Sequence, residues 1–167
     1  MLRAVFLSLH IASGSGALAL GPLALFAAAR RHRSRGQILA AYHWTVLATC
    51  LTAAVVSLLA WSRLWWFVPI AALSYVLALV GYLATRRGWP AWVRAHGLGG
   101  SYIALVTALL VVSARDISTT AEIVAWILPA AVGVPLIVRA HTGADVAGAN
   151  ESSEAGNPFG HEPPSEG

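Results

Sequence analysis

The residues in this chain whose chemistry could reach beyond packing are its six histidines and its single cysteine. Four of the histidines, His10, His32, His43 and His96, lie within or beside apolar runs, where an ionisable side chain is costly and marks a candidate site. Spacing groups them with small residues. His10, Gly14, Ala17 and Gly21 recur at four, three and four, and His96, Gly100, Ala104, Thr107, Val111 and Ala114 form a similar row. His43 shares a face with Leu47, Cys50, Ala54 and Ser57. Helices in lipid meet through small residues, so these rows are expected to point His10, His43 and His96 into a bundle.

Depth divides the set. His10 stands near one boundary of the apolar region, whereas His32, His43 and His96 stand near the other, roughly 15 Å away at the rise of a helix. The trio is therefore the candidate constellation. Two imidazoles on facing helices at one depth suit six-coordinate haem iron, which makes a b-type haem the candidate cofactor, held by His96 and either His43 or His32. Arg31, Arg33, Arg87 and Arg94 are placed to pair with its propionates. Structural histidines, each bonded to a hydroxyl or a carbonyl, are the competing reading. Zinc fits less well, because no cysteine or carboxylate lies near the trio.

Other chemistry is narrowed by what the sequence lacks. No acidic residue occurs between Met1 and Arg115, so paired-carboxylate catalysis has no material there. Phosphate-loop, GxSxG and HExxH motifs are missing, no catalytic residue is assigned, and the chain is expected not to be an enzyme. Cys50 sits mid-run and reads as a small buried residue. Asp116 and Glu122 read as loop charges, and Pro129 and Pro135 with Gly133 are expected to bend the last apolar stretch.

The elements that position these residues follow from composition. Hydrophobic residues make up 57% of the chain and charged residues 11%, with a mean hydropathy of +0.68. A chain of 167 residues cannot enclose that much apolar surface in water, so lipid is the matching solvent. Five apolar stretches, at about 4–29, 38–60, 66–85, 96–114 and 121–140, are each long enough to cross a bilayer. The expected fold is an all-α bundle of five transmembrane helices over residues 1–140. Residues 141–167, rich in Gly, Ser, Asn, Pro and Glu, read as a disordered tail unless a partner holds them. The first stretch runs too far past Ala17 to be a cleaved signal peptide.

All eleven basic residues are Arg, the composition of a GC-rich bacterial genome. Eight of them, Arg30, Arg31, Arg33, Arg35, Arg86, Arg87, Arg94 and Arg139, fall on one side of the expected bundle. Arg3, Arg63 and Arg115 fall on the other. By the positive-inside rule the N-terminus lies outside a bacterial cytoplasmic membrane and the tail in the cytoplasm. The same arrangement gives the charge of +4 a membrane role and argues against a nucleic-acid partner.

Several short motifs carry a resemblance. His10-x3-Gly14 with Gly21-Pro22, His32-x3-Gly36, Gly81-Tyr82 before Arg86-Arg87, and His96-Gly97-Leu98-Gly99-Gly100-Ser101-Tyr102 resemble a bacterial family of polytopic membrane proteins of unknown function. The resemblance spans about residues 8–137. It implies a helical membrane fold and marks His10, His32 and His96, leaving His43 outside the pattern. Two functional classes remain open: a small haem-binding membrane protein, and a non-catalytic accessory subunit of a larger redox or photosynthetic membrane complex. Both have the lipid bilayer as solvent, and the second adds other membrane subunits as partners.

Overall fold

The computed structural model of the chain describes residues 1–29, 34–115 and 117–155. It is helical throughout: α1 (Leu2–Ala29), α2 (Arg35–Leu59), a single turn α3 (Trp61–Leu64), α4 (Phe67–Arg87), α5 (Ala91–Ala114) and α6 (Thr119–Ala155). Five of these are long and apolar enough to span a membrane, with apolar spans of 21 to 27 residues. The expected all-α membrane bundle is therefore the architecture found.

Local sequence explains the breaks. α4 opens with Pro69 in its first turn, where a missing N–H costs nothing. It closes on Gly88, whose φ of 67° is left-handed and favours glycine. The Trp89 amide then reaches back to the Ala84 carbonyl at 2.9 Å, while Arg86 and Arg87 face the negative end of the helix dipole. Ser118 starts α6 by accepting the Ala121 amide at 3.1 Å, and Glu122 follows in the first turn. Pro90 leads directly into α5, so this helix starts at Ala91, well before the boundary expected near His96. α6 likewise runs on past residue 140 as far as Ala155.

α2 lies between α1 and α4, and α5 packs on α1, α4 and α6. The core is built from small and medium residues: Ala17, Ala24, Val46, Ala78 and Leu98 close around Tyr42. At the end opposite the arginines a second cluster joins Val111, Ala114 and Ala125, covered by Trp66. The α4–α5 seam is close. A Cβ on Gly97 would stand 2.5 Å from the Gly81 nitrogen, so the two backbones touch. α6 is peripheral, with Ala125 and Pro129 its buried positions among the described side chains.

Candidate functional site

His43 lies about two turns into α2 and is buried, with 7% of its surface exposed. Three aromatic rings enclose it. Tyr82 stacks on the imidazole at a centroid distance of 4.8 Å and an interplanar angle of 13°. Tyr75 stands tilted at 5.7 Å, and Trp44 meets it edge-on at 5.5 Å. Within this cage the Nδ1 atom has no hydrogen-bond partner among the described residues. A buried polar atom left unpaired is expensive, so it is a departure from ordinary packing. Two turns of α4 separate Tyr75 from Tyr82, which puts both rings on the face toward α2.

Behind Tyr82 a cavity of about 530 Å³ opens between the start of α2 and the end of α4. Arg35, Gln37, Thr85 and Arg86 line it together with Tyr82. The Arg86 guanidinium donates to the Tyr82 hydroxyl at 3.2 Å and also lies over its ring. Stacking thus links the caged imidazole to an arginine-lined opening at the basic end. Such an opening can receive an anionic group, since guanidinium groups pair with carboxylates and phosphates.

The other histidines sit differently. His96 is exposed on α5, where its Nδ1 donates to the Trp92 carbonyl at 2.7 Å and its ring meets Trp92 edge-on. Its expected inward orientation is therefore corrected. The buried face of α5 centres on Gly97, Leu98, Ser101 and Leu105, because the glycine seam with α4 turns His96 outward. His10 is half-buried and spent on structure: its Nδ1 donates to the Thr49 carbonyl at 3.1 Å and lies 3.2 Å from the Thr52 hydroxyl. His32, Arg31 and Arg33 fall outside the described residues.

The expected constellation is thus placed in parts. His43 is enclosed by α2 and α4, whereas His96 stands on the outer side of α5. Of the expected propionate partners, Arg87 lies over the Trp89 ring and Arg94 borders a different cavity, between α1, α5 and α6. Among the described residues no group of three His, Cys, Asp or Glu gathers as metal ligands. Cys50 is buried and free, as its place in the sequence suggests. The tyrosine cage was not anticipated, although Tyr75 and Tyr82 at a spacing of seven, with Arg86 four further on, was its signal.

Comparison with known proteins finds no matching family, no matching curated protein and no matching solved structure.

Proposed function

We propose that this chain is a non-catalytic subunit of a bacterial cytoplasmic membrane that assembles beside another membrane protein through the outer face of α1. The observation that carries this reading is that α1 has small residues on two opposite faces. One face, with Gly14, Ala17 and Gly21, packs within the bundle. The other, with Ser8, Ala12, Ser15 and Ala19 at spacings of four, three and four, is exposed. Small and hydroxyl-bearing residues concentrate where membrane helices meet. The Ser8 and Ser15 hydroxyls make no hydrogen bond among the described residues, whereas Ser13 on the same helix donates to Leu9.

A photoreactive side chain at Ala12 tests it in the native membrane, with Val76 on the exposed face of α4 as control. The expected product is a cross-link to one other membrane protein from position 12 and to lipid alone from position 76. Lipid alone at both positions, or a cross-link only to a second copy, overturns the reading. The orientation belongs to the same proposal: the arginine split supports an outer N-terminus. Reporters fused after Arg35 and after Arg63 then report opposite compartments, and matching signals overturn that orientation.

One observation favours a second reading, a b-type haem at the basic end. It is the buried Nδ1 of His43, without a partner among the described residues, with the Tyr82 ring between the imidazole and the arginine-lined cavity. A sharp Soret band from protein made with ample haem, lost in His43→Ala, is the outcome this reading requires. A colourless protein removes it.

A further inference from the structure

α5 has a second side, and it is open. Between α1 and α6 a groove of about 420 Å³ runs along α5 from Ala91 to Val106, floored by Ala91, Ala95 and Gly99. Leu25 on α1 and Leu136 on α6 form its walls. At 1.5 Å per residue the groove is about 22 Å long. It therefore covers a single leaflet of hydrocarbon, about 15 Å, and reaches the headgroup level. A helix about 10 Å across filling that length needs roughly 1,700 Å³, so the groove is too narrow for one. Its lining is almost wholly apolar, and its volume is that of a small-molecule site.

The one charged residue of its lining is Arg94, at the end where α5 begins. It is half-buried and makes no ion pair or hydrogen bond with any described residue. No carboxylate precedes Arg115 in the chain, so the first four spans supply no counterion. A partly buried guanidinium beside an apolar slot needs an anion joined to a hydrocarbon chain.

We propose that this groove binds one anionic phospholipid from the leaflet at the basic end, its acyl chain lying along α5 and its phosphate paired with Arg94. The site is separate from the exposed Ser8 and Ala12 face of α1 and stands whatever becomes of the partner reading.

The test measures lipid retention on the full chain, purified in mild detergent, by native mass spectrometry and thermal shift. Phosphatidylglycerol, phosphatidylcholine and glycerol 3-phosphate serve as probes. The expected result is one phosphatidylglycerol per chain, held about tenfold more tightly than phosphatidylcholine, whose trimethylammonium group neutralises its phosphate and repels the Arg94 guanidinium. Arg94→Gln brings the two lipids level, Arg94→Lys keeps a preference, and Ala95→Phe, which fills the groove, weakens both. Equal retention of the two lipids by the unaltered protein overturns the proposal. So does an unchanged preference in Arg94→Gln, protection by glycerol 3-phosphate equal to that by the lipid, or full retention in Ala95→Phe. Should Arg94→Gln fail to fold, Arg94→Lys and Ala95→Phe still decide.

Discussion

The two sides of α5 use the same residue type to opposite ends. Toward α4, Gly97 brings backbone against backbone at Gly81, and nothing fits between the helices. Toward α1 and α6, Gly99 receives only the tip of the Ile137 side chain, and a groove remains alongside. Glycine in a membrane helix therefore has two uses. It removes the space between two helices, or it lowers the floor beneath a gap that something else fills. What decides is the opposing residue, a second glycine on α4 and a branched side chain on α6.

The largest expected effect breaks the closed side. Gly97→Ala sets a methyl 2.5 Å from the Gly81 nitrogen and 3.0 Å from the Leu77 carbonyl oxygen. Backbone cannot step aside, so the two helices must separate along their length. A loss of about 3 kcal/mol or more is expected, at the upper end of overpacking. Gly99→Ala meets the Ile137 side chain instead, which can change rotamer, and about 1 kcal/mol is expected. Thermal unfolding in detergent ranks the pair. Equal losses would mean that the α4–α5 seam is no tighter than the α5–α6 contact.

Much of this was legible in the sequence, and the limit has a physical cause. Five spans follow from hydropathy alone, because a continuous apolar run of that length in lipid pairs its backbone groups within itself, as a helix. The inner face of α4 also follows, since Ser74, Ala78 and Gly81 are buried as their spacing implies. On α5 the row through His96 and Gly100 identifies one edge of the packed face and misses its centre. Gly97, Gly99 and Ser101 are small too, and a helix with small residues on several faces does not announce which one faces α4. The tyrosine cage stayed hidden because it joins α2 to α4, and periodicity within one helix carries no register between two. The tail was read from composition, yet α6 carries helix to Ala155, since a helix already begun elongates without a new nucleus.

A moderate effect sharpens the comparison at the core. Ser101 donates to the Leu98 carbonyl at 2.9 Å, so in its 2.8 Å bond with Tyr42 the phenol is the donor. This bond ties α2 to α5 from the middle of the packed region. Tyr42→Phe removes it while keeping the ring, and Ser101 retains its own acceptor. The expected cost is about 0.6 kcal/mol, the mean for side-chain bonds between membrane helices. A loss matching Gly97→Ala would show that the polar link, and not the glycine seam, holds α5 in place.

The smallest effect is expected at Leu109, on the same helix as the closed seam and the groove. Its side chain is 51% exposed, and in a bilayer that exposure is to hydrocarbon. Leu→Ala in a soluble core costs about 2–5 kcal/mol because burial is lost and a cavity remains. Neither penalty applies here. Lipid tails are as apolar as leucine, so they replace the missing methyl groups, and a fluid chain leaves no cavity. Leu109→Ala is thus expected to shift stability by less than about 0.5 kcal/mol. The measurement is the same thermal unfolding series, repeated in bilayers. A loss of 2 kcal/mol or more, on the scale of a core truncation, would place position 109 against protein, and the lipid-facing side of α5 would have to be redrawn.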